Sequence, residues 1–325
     1  MKHSLKSTLL LSGLVTVLLT LVQFPAEQPS ALAETPGRAS TRSVTRAIPF
    51  PAPVEFREDD SRGLQIKTWV NDRGPFIFLI DTGAGLTLIS RSVAGQARVQ
   101  ATGKTLVLQG PGNSGPMRTE EAILQRLAIG GIDNPLPNRG RVAVTTSLPT
   151  GIDGILDPTE AFQPLGFVLD FPNRRISALD PVSDTLRNRQ PPVEGAIVRW
   201  VSDPQGRRPF VQLNGKVTAL LDTGGRFGLA VSSTAANRLG ITVTPGRKTS
   251  TLNDINGGSF VVHRIQPATI WLDSMVLERI PTDLLENVPG DTPVLFGRDA
   301  LRPFRVSFDP RSRLIEFAPA AEIED

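Results

Sequence analysis

The 325-residue chain contains no cysteine and no tyrosine, and only two histidines. Without cysteine there is neither a disulfide framework nor a thiol for lipid attachment, and thiol catalysis is excluded. His3 falls in an amino-terminal stretch that reads as a targeting segment, so little is left for a Ser-His-Asp triad or a histidine metal site. His263, in the apolar run "FVVHRI", reads as a structural residue. The formal charge is +3 and no long Lys/Arg run occurs, so the chain lacks a nucleic-acid footprint. The arginines of "PNRR" and "DPRSR" read as solvated hairpin residues.

Long apolar segments are scarce as well. Lys2 and Lys6 precede the stretch from Leu9 to Val22, and Ala31-Leu32-Ala33 precedes Glu34. This is the pattern of a secretory signal peptide over residues 1–33, and the stretch is shorter than the ~20 residues of a spanning helix. The expectation is export to the periplasm or beyond the cell, with no stable membrane insertion after signal cleavage. Residues 34–60, rich in Pro, Arg, Ser and Thr, read as a leader or linker, with a pro-segment role open.

What the chain does have is Asp-Thr-Gly twice, in "FLIDTGAG" around Asp81 and "ALLDTGGR" around Asp222. A lone tripeptide arises by chance in roughly one chain of this length in ten or twenty, but two copies in one local frame point to a repeat. Other landmarks recur in the same order. "LQIKTWVNDRGPFIFLID" and "RPFVQLNGKVTALLD" each read as strand, tight turn and strand, with Asn214-Gly215 a strong hairpin signal. "SRSVAGQARV" and "SSTAANRLGI" follow as short helices, the second opening on Ser232 or Ser233 and closing on Gly240. Glycine-rich tips come next, at Gly110, Gly112 and Gly115, then at Asn256-Gly257-Gly258. Short apolar strands "GILD" and "VLFG" follow, and the halves close on "FVLDFPNRRISAL" and "FRVSFDPRSRLIEF". "GPGNSG" also satisfies a dinucleotide-binding spacing, with residues 120–127 helix-compatible behind it, but Pro111 and Pro116 crowd the turn and no βαβ unit follows.

From Arg62 to Ala318 these landmarks resemble the aspartic peptidase superfamily, pepsin- and retropepsin-like, and most of all exported bacterial members with two retropepsin-like units in tandem. The resemblance implies a mostly β, bilobal fold of two related lobes, 61–185 and 186–325, with the active site between them. It implies that Asp81 and Asp222 are the catalytic pair, that Thr82, Gly83, Thr223 and Gly224 support their loops, and that Gly110, Gly112, Gly115, Gly257 and Gly258 belong to flaps over the substrate. Two close carboxylates share one proton, so one serves as base toward a water and the other as acid toward the peptide carbonyl. The resemblance calls for no metal or organic cofactor, a peptide or protein substrate, and a monomer whose halves form an intramolecular pseudo-dimer. Pairing of each half with another chain is a weaker option.

Several positions depart from the family pattern. The missing tyrosine removes the flap tyrosine of pepsins, as in retropepsins, and Ala84 is also retropepsin-like. Gly225 stands where pepsins carry a hydroxyl that bonds the outer carboxylate oxygen, so Asp222 is expected to be more weakly held. Asp157 ends "GILD" where the second half has Gly297. Because Pro158 ends that strand, Asp157 is expected to turn outward. A displaced strand at Asp157 would favour the alternative function, a catalytically degenerate bilobal protein that binds peptides in the groove.

Overall fold

Both copies of the strand–turn–strand unit form hairpins, and their turns explain why. Asn71 and Asp72 have φ of 46° and 63°, and Asn214 and Gly215 have φ of 51° and 62°. Left-handed backbone at both central positions matches the right-handed twist of the flanking strands. The first hairpin joins Gly63–Val70 to Arg73–Ile80, and the second joins Gly206–Leu213 to Val217–Asp222. This computed structural model describes Val15–Thr16 and residues 50–320, except 109, 111–114, 139, 204–205, 245–248, 255–258 and 289–291.

Each hairpin seeds a sheet. In the first sheet the order is Arg57–Asp59, Gly63–Val70, Arg73–Ile80, Gly154–Leu156, Leu88–Ser90, Arg141–Thr145, Met117–Ile123 and Gln100–Leu108. In the second it is Val201–Asp203, Gly206–Leu213, Val217–Asp222, Val294–Gly297, Leu229–Val231, Thr282–Glu286, Ser259–Arg264, Thr249–Asp254 and Val15–Thr16. Over the first eight strands the two orders are one topology. The parallel pairs also coincide, since Gly154–Leu156 runs along Arg73–Ile80 as Val294–Gly297 runs along Val217–Asp222. Segments 120–123 and 127–129, helix-compatible by sequence, are strands here, so the helix that a dinucleotide motif needs is not formed.

A third, six-stranded sheet joins the halves in the order Ala196–Arg199, Leu314–Pro319, Phe304–Asp309, Gly166–Asp170, Arg175–Leu179 and Val54–Glu55. Each half gives three strands. At its centre Gly166–Asp170 and Phe304–Asp309 run antiparallel, with Val168 opposite Ser307 and the pairs Phe167–Phe308 and Leu169–Val306 on either side. This register is what a two-fold relation through the middle of the pair requires. The rings of Phe167 and Phe308 stack at 4.3 Å between centroids and 13° between planes, and Trp200 meets Phe308 edge-on. One apolar cluster then runs from Phe56 to Phe317 through both halves. The fold is therefore mostly β and bilobal, as expected.

The expected leader is corrected at its end. Val54–Glu55 and Arg57–Asp59 are strands and Phe56 is buried, so residues 50–60 belong to the folded body; residues 1–49, apart from Val15–Thr16, lie outside the described residues. Phe56 is held there by its apolar ring, which packs edge-on against Phe171 at 6.3 Å. Among the described residues no helix is long and apolar enough to cross a membrane.

The helices are short and sit where capping residues allow. Ser233–Leu239 opens on Ser232, whose hydroxyl accepts from the Ala235 amide, and closes on Gly240 at φ 73°. Ser232→Ala leaves that amide without its cap and is expected to cost about 1 kcal/mol. Urea denaturation monitored by circular dichroism would measure it; an unchanged midpoint would show that solvent replaces the cap.

Candidate active site

Two buried strands carry the paired acids to the same place. The Asp81 amide donates to the Leu156 carbonyl at 3.0 Å, which extends the parallel ladder one residue past Ile80. Asp222 stands directly opposite Gly297 in the equivalent ladder. The chain then turns sharply, and Thr82 and Thr223 cross between the halves. The Thr82 hydroxyl donates to the Leu221 carbonyl at 2.6 Å and accepts from the Thr223 amide at 3.2 Å. The Thr223 hydroxyl donates to the Ile80 carbonyl at 3.0 Å and accepts from the Thr82 amide at 3.1 Å. Four hydrogen bonds thereby satisfy three buried polar groups of each loop with groups of the other, so each loop holds the other's shape.

The glycines permit the close approach. A Cβ on Gly83 would lie 3.0 Å from Asp222 Oδ1, and one on Gly224 would lie 2.5 Å from Asp81 Oδ2. Each glycine thus faces the carboxylate of the opposite half. Asp81 Oδ1 accepts the Gly83 amide at 2.8 Å, whereas Asp222 Oδ1 accepts the Gly224 amide at 2.9 Å and the Gly225 amide at 3.2 Å. With no side chain at Gly225, Asp222 Oδ2 has no hydrogen-bond partner among the described residues, while the Gly225 amide adds a donor to Oδ1. Position 225 stays glycine because the Phe227 ring fills the space a side chain would need.

Asp81 is 1% and Asp222 0% exposed, and the Oδ2 atom of each has no protein donor among the described residues. The two carboxyl groups meet at one point between the loops, since a Cβ on Gly83 would lie 3.0 Å from Asp222 Oδ1 and 3.3 Å from Asp81 Oδ1. Burial, and then the neighbouring Asp222 charge, push Asp81 well above the usual carboxylate range. Asp222 is pushed by burial to about 6 and restrained by the amides of Gly225 and Gly224, by its bond to Asp81 and by Arg298. Such a pair can hold one acid and one base together over a broad pH range.

Asp157 is the clearest correction. It is 1% exposed rather than turned outward, and it caps the helix Pro158–Ala161. Its Oδ1 accepts the Thr159 amide at 2.9 Å and the Thr159 hydroxyl at 2.7 Å. Pro158 does end the strand, but it does so as the first residue of a helix, where its fixed φ and missing N–H fit. The strand is not displaced, since Leu156 still pairs with Ile80. Burial raises Asp157 to about 6, and burial with the Asp157 charge raises Glu160 to about 7.

The raised carboxyls set an unusual pH dependence. A carboxyl with a raised folded-state pKa stabilises the fold fully below its unfolded value, and that contribution fades as pH climbs through the folded value. For Asp157 the loss runs from pH 3.8 to about 6, and for Glu160 from pH 4.5 to about 7. Asp309 and Asp59 are lowered by their hydrogen bonds and lose their contribution only below the usual range, so they do not oppose the trend in this window. The expected result is a Tm a few degrees higher at pH 5 than at pH 8, with Asp157→Asn and Glu160→Gln each flattening the slope. Scanning calorimetry at both pH values checks this, and a Tm that falls on acidification in all three proteins would refute it.

Three participants were not singled out in the sequence. Arg298 follows Gly297 and is fully buried, and none of its guanidinium nitrogens has a hydrogen-bond partner among the described residues. Its nearest carboxylate is Glu58 at 3.6 Å, which also takes Arg302 at 2.8 Å. Glu58 lay in the stretch read as a leader, and Glu160 carried no motif. Of the flap glycines, Gly110 and Gly115 respectively follow and precede the paired strands Gln100–Leu108 and Met117–Ile123, and a Cβ on Gly115 would meet nothing within 4 Å. Gly112, Gly257 and Gly258 lie outside the described residues, although Thr249–Asp254 and Ser259–Arg264 form the corresponding antiparallel pair. His263 lies in that second strand, 3.1 Å from Glu286.

Each half also carries a smaller buried apolar cluster, with Leu79, Leu86, Leu88, Leu108 and Ile155 in the first and Phe210, Leu220, Phe227, Phe260 and Leu295 in the second. Residues 66–156 match the family model described as aspartyl protease. That span begins in the first hairpin, contains Asp81 and ends at the strand beside it. No curated protein matches the chain.

Proposed function

We propose, from the premise that the chain belongs to the aspartyl proteases through residues 66–156, that it is an exported aspartic endopeptidase using Asp81 and Asp222 together. The observation that carries this is the reciprocal bonding of Thr82 and Thr223, which brings two buried carboxyls to the same point between the halves. A shared proton makes one carboxyl a base and the other an acid at once. The base takes a proton from a bound water, the resulting hydroxide attacks the peptide carbonyl, and the acid donates to the carbonyl oxygen. Collapse of the tetrahedral species then returns a proton to the leaving nitrogen. Tight cross-half bonding keeps the carboxyls aligned without reorganisation during the step.

The two halves joined in one six-stranded sheet support a monomer with an intramolecular site. Export rests on the amino-terminal pattern of Lys2, Lys6, the apolar stretch and Ala31-Leu32-Ala33. The degenerate peptide-binder reading drew on a displaced strand at Asp157, and the kept register of Leu156 with Ile80 takes that support away.

Incubation of the chain from Glu34 onward with an unstructured protein between pH 3 and 8, with and without a statine-type inhibitor, is the direct test. Inhibitor-sensitive internal cleavage is expected. Binding of the inhibitor without cleavage at any pH would favour the peptide-binding protein instead.

A further inference from the structure

The two halves match strand for strand, yet the residues beneath the two acids do not match. Beneath Asp81, the strand Gly154–Leu156 continues into Asp157, a buried carboxyl whose Oδ2 has no hydrogen-bond partner among the described residues. Beneath Asp222, the corresponding strand Val294–Gly297 continues through a glycine into Arg298, a buried guanidinium. No side chain fits at 297, because a Cβ there would collide with the Phe227 carbonyl. A negative group therefore backs one acid and a positive group backs the other.

Resting on the aspartic peptidase reading above, we propose that Asp157 and Arg298 are positioning residues that polarise the pair, so that Asp81 carries the shared proton and acts as the acid while Asp222 is the ionised base. Three independent features point the same way. Asp222 accepts two backbone amides and Asp81 one, and each such bond favours the ionised form. The Arg298 charge stabilises an Asp222 carboxylate, whereas the Asp157 charge opposes an Asp81 carboxylate. Both acids are buried alike, so solvation does not offset the difference.

The surrounding charges keep these two groups in the required states near pH 7. Asp157 faces Glu160 on its own helix and Arg207 on the strand Gly206–Leu213 of the other half, while Arg141 also faces Glu160. Glu160 holds its proton more tightly than Asp157, so at neutral pH the charge rests mainly on Asp157. Arg298 faces Glu58 from the first half, Asp299 and Arg302 from its own helix, and Asp222. Burial weakens its hold on its proton, but an arginine stays charged throughout this range. Below about pH 6 Asp157 takes up a proton, and the bias toward Asp81 relaxes.

The full-length mature chain with 13C-labelled aspartate carboxyls tests this by NMR, using Asp81→Asn and Asp222→Asn spectra for assignment. At pH 7 the Asp81 carbon is expected at a protonated shift and the Asp222 carbon at an ionised one. Asp157→Asn keeps the oxygen that caps the helix but removes the charge, and should move the Asp81 shift at least a quarter of the way toward the ionised value. Asp157→Gly, which copies the second half, should do the same, so the result does not depend on one variant folding. Arg298→Met should move the Asp222 shift toward protonated, and Arg298→Lys should restore it. A proton on Asp222 in the natural chain, or an Asp81 shift unmoved by both Asp157 variants, overturns the proposal. Because the readout is protonation, a protein that never cleaves a peptide would still report it, and failure of the peptidase reading would show separately in the cleavage assay.

Discussion

Asp81→Asn and Asp222→Asn are each expected to lower kcat/KM on an unstructured protein by on the order of 10³-fold or more, because a single carboxyl cannot be both base and acid in one turnover. The fold should survive. Asn keeps the oxygen that accepts the Gly83 amide in one case and the Gly224 and Gly225 amides in the other. Asp222→Asn also removes a buried charge and should melt at or above the natural Tm at neutral pH, whereas Asp81→Asn exchanges one neutral group for another and should melt near it. Steady-state kinetics and calorimetry on the same preparations separate the two effects. Substantial cleavage by either single variant would mean that the two acids do not share one site.

Phe308→Ala is the second change with a large expected effect, at about 3–5 kcal/mol of lost stability. Its ring is fully buried, stacks on Phe167 from the other half and meets Trp200 edge-on. It sits on a strand that forms the central cross-half pair, so the cavity opens where the halves are joined. The lost stability should appear as a single cooperative transition moved to lower urea. Activity should fall at temperatures where the native state remains dominant, because the Thr82 and Thr223 bonds depend on the halves staying in register. A loss below about 1 kcal/mol would show that the junction repacks around the missing ring. Two separated transitions would show instead that the halves unfold independently.

Much of this arrangement is legible in the residues themselves. Asp81 and Asp222 sit in matching frames, and both hairpins turn on residues suited to left-handed backbone, Asn71-Asp72 and Asn214-Gly215. Ser232 and Gly240 mark the ends of one helix by chemistry that is entirely local. Asp157 was visible as an oddity, but its direction was not. Pro158 ends a strand in either outcome, and what turns the carboxyl inward is the helix Pro158–Ala161 packing against Gly206–Leu213 of the other half. Glu58 and Arg298 gave no signal, because they lie far apart in the chain and share no periodicity. At Gly225 the residue shows only the missing hydroxyl; its added donor is an amide, which every non-proline residue carries, aimed by a turn that the letter G does not specify.

The residues alone determined the two hairpins, the capped helix after Ser232, the repeated order of landmarks and the presence of two equivalent acids, because alternation of apolar side chains, turn chemistry and capping act over a few neighbouring positions. Only the tertiary structure decided what stands behind each acid. The two halves share a topology but not a set of buried charges, and a buried charge acts through space on whatever the fold brings near it. Asp157 under Asp81 and Arg298 under Asp222 follow from packing across the halves, and that packing makes two like triplets chemically unlike.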